Sequence, residues 1–281
     1  MDSIKLKAYA KINLSLDVKG KRADGYHEVS MIMASISLCD EVCLFKSSDI
    51  SLEIRNSSEL SSEDNIMIKA AKKFFEKTKI NSGVRMVLEK NIPIAAGMAG
   101  GSTDAAAVLK GLNEIYNTNL TEDELCMIGL ELGADVPYCI KGKVMLSEGI
   151  GEKLSLIGDI KDLYVAVVKT KEGLSTGVIY NKIDSEQNLH SPDNEFLTNC
   201  IKRKDYASLC KNMKNVMEQV SIKEIPEIAE IKEELIKKGA LGAMMSGSGP
   251  TVFGIFEKKE DCIKAVNDMK MKYFSCLAEF I

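Results

Sequence analysis

Histidine is scarce: His27 and His190 are the only two in 281 residues. None of the eight cysteines forms a C-x-x-C pair, and Cys39/Cys43 has no second half at metal-binding spacing. No zinc site is therefore expected, and the thiols read as reduced and mostly buried. No apolar run approaches membrane-spanning length, and the polar start Met1 to Lys11 does not suit a secretory signal, so a cytoplasmic protein is expected. A net charge of −4 argues against nucleic acid or an anionic membrane as the main partner. Two familiar glycine motifs are also missing. No lysine precedes Ser102, as G-x-x-x-x-G-K-[ST] requires, and Gly97, Gly100 and Gly101 miss the spacing of G-x-G-x-x-G. What remains is an ordinary globular composition, 45% hydrophobic and 28% charged, long enough for one large domain or two ordinary ones.

The stretch that stands out is P-I-A-A-G-M-A-G-G-S-T-D-A-A-A, Pro93 to Ala107. Side chains nearly vanish there, Pro93 closes an extended segment, and Gly97, Gly100 and Gly101 permit positive φ and a close approach to the main chain. From Ser102 the pattern turns helical, with Ala105, Val108, Leu109, Leu112 and Tyr116 on one face. A strand, a glycine loop and a helix N-terminus present free N–H groups that suit a phosphate. The alternative is a tight turn feeding a closely packed helix. Asp104 would strengthen the helix start but repel a phosphate unless it is turned away.

Ahead of the loop, residues 4–18 alternate strictly. Ile4, Leu6, Ala8, Ala10, Ile12, Leu14, Leu16 and Val18 share one face; Lys5, Lys7, Tyr9, Lys11, Asn13, Ser15 and Asp17 share the other, expected to be exposed. Asp24-Gly25 is a turn signal followed by Tyr26-His27, a pair that could wall a flat ligand or pack as ordinary aromatics. Val29–Leu38, Glu41–Phe45 and Ile50–Ile54 read as strands, Ser61–Asp64 as the start of a helix ending near Thr78, and Val84–Glu89 as the strand into the loop. Thr121 to Glu124 fits a capping box, and Ala134-Asp135-Val136-Pro137 a turn out of that helix. The glycine-spaced segment 149–158 marks a domain boundary, giving domains 1–153 and 154–281. Beyond it, strand, helix, two strands, helix and strand follow in a βαββαβ order with extra helical material between Gly173 and Ser221. Gly247-Ser248-Gly249-Pro250 forms the central hairpin.

Three separated segments resemble the GHMP kinases, the superfamily of galactokinase, homoserine kinase, mevalonate kinase and phosphomevalonate kinase. They are P-I-A-A-G-M-A-G-G-S-T-D-A-A at 93–106, M-S-G-S-G-P-T-V-F-G at 245–254, and A-K-I-N-L-S-L-D-V at 10–18 with D-G-Y-H-E at 24–28. Met98 stands where leucine is usual. The resemblance implies an α+β, two-lobed GHMP kinase fold, with a ribosomal-protein-S5-like N-terminal lobe, a ferredoxin-like C-terminal lobe and both substrates in the cleft. It implies Lys11 and Asp135 as the catalytic pair. The ATP phosphates fall to Pro93, Ile94, Ala95, Ala96, Gly97, Met98, Ala99, Gly100, Gly101, Ser102 and Thr103, and the adenosine to Asn65 and Lys90. Mg²⁺ is implied as well, with no ligand named. The N-terminal segment is most similar to a member acting on a cytidine-diphosphate-linked alcohol, in which Tyr26, His27 and Tyr180 enclose the cytosine and Asn13 lies near the substrate. Homoserine-type and mevalonate-type kinases, and a silent nucleotide-binding relative, are the competing readings. A nucleic-acid-binding S5-like module conflicts with the negative charge.

Overall fold

The computed structural model describes residues 2–56, 64–186 and 188–281. The chain packs as two compact units, each assembled from several segments. The first takes Met1–Ala10, Cys39–Pro93 and Ala99–Gly142; the second takes Lys11–Leu38, Ile94–Met98 and Lys143–Ile281. The units are thus interleaved along the chain instead of following one another on either side of residue 153. Two long strands, β1 (Ser3–Lys21) and β2 (His27–Ser47), cause this, because each runs from one unit into the other. The two strands expected over 29–45 are the single strand β2.

In the first unit, residues 41–47 of β2 pair antiparallel with β4 (Gly83–Glu89), and β4 pairs parallel with β3 (Ser51–Arg55). Helices α1 (Ile66–Thr78) and α2 (Gly100–Ile115) pack on this sheet, and α3 (Glu122–Leu130) and α4 (Val136–Lys141) pack against them. Helix α1 starts where Asn65 accepts from Met67 N and ends with Lys79 in the left-handed region. The earlier start expected at Ser61 falls partly on residues 61–63, outside the described residues. Met67, Ala70, Ala71, Phe74 and Phe75 recur at helical spacing and pack against Ala105, Val108, Leu109 and Leu112 of α2 and Leu44 and Met86 of the sheet. Thr121 and Glu124 complete the expected capping box of α3. The turn expected over 134–137 continues into α4, with Pro137 in its first turn, where a missing N–H costs nothing.

In the second unit, residues 29–34 of β2 pair antiparallel with β5 (Val144–Gly149), which forms a hairpin with β6 (Lys153–Gly158). The glycine-spaced segment expected to be a boundary is this hairpin, turned at Gly149 with φ 74°. A four-stranded antiparallel sheet follows in the order β10-β7-β9-β8, built from β7 (Tyr164–Lys169), β8 (Gly242–Met245), β9 (Thr251–Phe256) and β10 (Phe274–Glu279). With α9 (Glu227–Lys237) and α10 (Lys259–Met269) this is the expected βαββαβ, ferredoxin-like arrangement. The extra helical material is α5 (Thr176–Ile183), α6 (Asn194–Arg203), α7 (Tyr206–Asn212) and α8 (Val216–Glu224).

The alternation along β1 is real, but its polar face is not exposed throughout. From Ala10 to Leu16 both faces are buried, and Lys11, Asn13 and Ser15 are inside. Ser15 shows why this is tolerated: its hydroxyl accepts from Ile32 N at 3.0 Å and donates to Asn194 Oδ1 at 2.5 Å. Buried polar groups persist where they are fully hydrogen-bonded.

Packing is tight where β8 begins. A Cβ at Gly242 would stand 2.4 Å from the Cys210 carbonyl oxygen, a backbone atom that cannot rotate aside. Gly242→Ala is expected to destabilise by about 1–3 kcal/mol, a fall of roughly 2–4 °C per kcal/mol for a chain of this size. A melting temperature equal to native would show that α7 can retreat at no cost.

Candidate active site

Lys11 is a buried charged group of the second unit. Its residue is only 5% exposed, and its Nζ donates to Asn13 Oδ1 at 2.7 Å and to the Gly97 carbonyl at 3.1 Å. Its backbone N–H also donates to the Met98 carbonyl at 3.2 Å. Asn13, two residues on along the same strand face, is fully buried; its Oδ1 also accepts from Gly247 N at 3.0 Å, and its Nδ2 lies 3.2 Å from Met31 Sδ. Ser246 Oγ donates to the same Gly97 carbonyl at 2.9 Å. The hairpin after β8 is tied further by Asn215, whose Nδ2 donates to the Met245 and Gly247 carbonyls at 2.9 and 2.8 Å. Strand β1, residues 97–98 and the 246–248 turn therefore form one buried polar knot, with the ammonium held by neutral oxygens. Asn13 was expected near the substrate; its side chain is engaged by Lys11, Gly247 and Met31. Asn215 carries no sequence signal, because its partners are backbone atoms 30 and 32 residues away.

The loop itself is left-handed at alternate positions. Ala95 (φ 49°), Gly97 (φ 71°) and Ala99 (φ 56°) take positive φ, and the residues between them do not. Successive N–H groups in such alternating backbone converge into an anion-binding concavity. Alanine in this region costs on the order of 1 kcal/mol, a strain that clusters at functional sites. Gly100 and Gly101, expected to supply positive φ, are helical instead, since α2 begins two residues before the expected Ser102. Gly100 is glycine for closeness: a Cβ there would lie 3.0 Å from Lys90 Nζ and 3.2 Å from Ile92 Cγ2. Ala99 offers no side-chain cap, which leaves the first-turn N–H groups uncapped. Of the remaining loop residues, Ile94 and Ala95 are exposed while Ala96 and Met98 are buried.

Both ends of the loop's anchoring in the first unit meet at Lys90. This lysine pairs with Asp40 Oδ2 and with Asp104 Oδ2, the latter at 2.7 Å, and all three side chains are buried. Asp40 Oδ1 accepts from Asn91 N at 2.5 Å and Ile92 N at 2.7 Å. Asp104 is thus turned to Lys90, and it sits past the first helical turn where it was expected to act. Lys90, expected near the adenosine, has two of its three N–H groups spent on carboxylates. Asp104 Oδ1 is buried without a partner among the described residues. Burial first, and the neighbouring Asp40 charge, push the Asp104 carboxyl well above its usual range against the pull of Lys90.

Asp135 is half-buried at the N-cap of α4, yet its side chain makes no capping hydrogen bond. The carboxylate therefore satisfies no backbone donor at the start of α4. Asn65 caps α1, as described. In the second unit His27 Nε2 lies 2.8 Å from Asp184 Oδ1, and its ring stacks on Tyr180 with centroids 4.4 Å apart and 19° between planes. At that separation the two rings touch. Tyr26, 57% exposed, keeps an open face.

The raised Asp104 pKa has a consequence for stability. The folded state holds this proton more tightly than the unfolded state, whose carboxyl titrates near 3.8. The Asp104 contribution to stability is therefore fullest below that value and is lost as pH rises through the folded pKa. Asp104→Asn removes this loss. The variant's melting temperature relative to native is expected to rise from acid to neutral pH; a difference constant with pH would contradict the assignment.

Comparison with known proteins agrees with these features. Residues 65–143 match the model of the GHMP kinases N terminal domain, and residues 197–273 that of the GHMP kinases C terminal domain. The chain is 50% identical over 277 residues to 4-diphosphocytidyl-2-C-methyl-D-erythritol kinase of Acetivibrio thermocellus, covering 98% of each. It is 46% identical over 271 residues to the kinase of the same name from Clostridium tetani, covering 96% of this chain and 97% of the other. A crystal structure of 4-(cytidine 5'-diphospho)-2C-methyl-D-erythritol kinase superposes with a TM-score of 0.84 at 27% identity over 99% of both chains. Homoserine kinase from Cytophaga hutchinsonii shares the fold, with a TM-score of 0.79 at 20% identity over 99% of this chain and 95% of its own. A loop of alternating left-handed backbone, a lysine anchored on it and full-length similarity lead to one conclusion: the chain belongs to the GHMP kinases and, within them, to the 4-diphosphocytidyl-2-C-methyl-D-erythritol kinase family.

Proposed function

We propose that this chain transfers the γ-phosphoryl group of ATP to the 2-hydroxyl of 4-diphosphocytidyl-2-C-methyl-D-erythritol, a step of non-mevalonate isoprenoid synthesis. The observation that carries the mechanism is the anchoring of the Lys11 ammonium on the Gly97 carbonyl, in the middle of the left-handed loop. A hydroxyl is a weak nucleophile at neutral pH, and Asp135, free of any capping duty, accepts its proton as the phosphoryl group arrives. Lys11 offsets the negative charge that accumulates on the phosphoryl oxygens. Because Asn13 and Gly97 hold it before substrate arrives, little reorganisation is needed during the reaction. The backbone N–H groups of residues 94–102 and the uncapped start of α2 receive the ATP phosphates. Asn65 lies at the adenosine, and Lys90 braces the loop from behind its ion pairs.

Among the described residues no group of three His, Cys, Asp or Glu side chains is arranged to hold a metal. In this reading Mg²⁺ arrives with the nucleotide, since that ion keeps its waters and binds chiefly through phosphates. Bound there, it would neutralise phosphate charge. On the cytidyl side, Tyr26 supplies a stacking face and His27 reads the polar edge of the base, with Tyr180 backing the imidazole. No helix among the described residues is long and apolar enough to cross a membrane; cytoplasmic action on a small molecule is part of the proposal.

Asp135→Asn keeps the shape and removes the base. Its kcat is expected to fall by roughly 10²-fold or more, while ATP affinity changes little. Turnover near the native rate would show that proton acceptance is not the task of Asp135.

A further inference from the structure

We propose that Asp184 is a specificity-determining positioning residue, which fixes the His27 proton on Nε2 so that Nδ1 offers a lone pair to the amino group of cytosine and refuses the carbonyl of uracil. The inference rests on the cytidyl reading given above and extends it to a residue that does not touch the base.

The geometry begins with the sequence Y-N-K-I-D at 180–184. Four residues apart on one helix, Tyr180 and the Asp184 C-cap project along the same face of α5. Tyr180 meets the face of the His27 ring, and Asp184 meets its edge. The first contact sets the plane of the imidazole and the second sets its rotation within that plane. A carboxylate can only accept, so at 2.8 Å the shared proton belongs to Nε2. In the neutral ring Nδ1 then carries no hydrogen and can only accept.

Asp184 is itself held for this purpose. Its backbone N–H donates to the Lys182 and Tyr180 carbonyls, and its second oxygen faces Lys21 Nζ at 3.6 Å. The hydrogen bond from His27, with Lys21 behind it, keeps the carboxyl below its ordinary range and so ionised at neutral pH. The His27 side chain is only 8% exposed, which limits the water available to compete for Nδ1.

Cytosine carries an exocyclic amino group at the position where uracil carries a carbonyl oxygen. An accepting Nδ1 pairs with the first and opposes the lone pairs of the second. A site built to hydrogen-bond a substrate group discriminates strongly against an analogue that cannot complete the bond, because the site's own polar atom is left unpaired.

The test uses the full chain. With only two histidines, the ¹⁵N ring signals reduce to two sets, and His190→Gln assigns them. Native His27 is expected to show a protonated Nε2 and an unprotonated Nδ1 at pH 7.5; a doubly protonated ring would overturn the proposal. The preference for the cytidyl substrate over its uridyl analogue, as a ratio of kcat/KM, is expected to fall roughly tenfold or more in Asp184→Ala. The loss should lie mainly in KM for the cytidyl substrate, with KM for ATP unchanged and the ¹⁵N signals moving toward a mixture of tautomers. Asp184→Glu should restore part of the preference, and Asp184→Asn, which keeps the shape, should lose it even if Asp184→Ala folds poorly. If His27→Ala collapses the preference while Asp184→Ala and Asp184→Asn keep it, Asp184 is only a structural partner and the inference is wrong. If His27→Ala also keeps the native preference, the cytidyl reading of His27 fails first.

Discussion

The second unit is organised around the burial of one ammonium. Lys11 lies inside with neutral oxygens for partners, and each of those oxygens serves a second donor: Gly247 N on Asn13, and the Ser246 hydroxyl on Gly97. An unpaired buried charge costs several kcal/mol, so the knot holds together only if every member is in place. That condition links strand β1, the middle of the left-handed loop and the turn after β8 more tightly than apolar packing would. It also presents a cation whose position is settled before any ligand binds.

The first unit solves a matching problem with charges of both signs. Lys90 sits between Asp40 and Asp104, and Asp40 additionally takes two backbone N–H groups at the end of the strand that feeds the loop. The arrangement fixes residues 90–92 and the second turn of α2 relative to each other. Burial, and two carboxylates against one lysine, push the Asp104 carboxyl well above its usual range. The strained φ values at Ala95 and Ala99 fall in the segment spanned by these braces.

Much of this was legible in the sequence, and the exceptions share a cause. Strict alternation announced β1, the capping box announced α3, and the βαββαβ order announced the four-stranded sheet, because each is a local pattern. The strand–loop–helix connection over 93–103 was legible from its lack of side chains. Two of its glycines were assigned the wrong duty: Gly100 and Gly101 are helical, Gly100 lying close to Lys90, while positive φ falls on Gly97, as expected, and on Ala95 and Ala99. The burial of Lys11 and Asn13 ran against the alternation rule; the rule reports polarity, and here the polar face is satisfied by distant backbone. Asn215, Asp184 and the Asp40–Lys90–Asp104 cluster left no trace, because their meaning lies in partners 14 to 157 residues away.

The account stands on substrate identity, since a GHMP kinase fold serves several alcohols and only the residues proposed to face the cytidyl group single one out. The most direct measurement is ATP-dependent phosphorylation by the purified chain, followed by ADP release and by phosphorus NMR of the product. 4-Diphosphocytidyl-2-C-methyl-D-erythritol, mevalonate and homoserine would be offered separately at equal concentration. The account predicts turnover of the cytidyl substrate, with a new monophosphate signal, and no turnover above background for the other two. Equal or preferential phosphorylation of mevalonate or homoserine would contradict it.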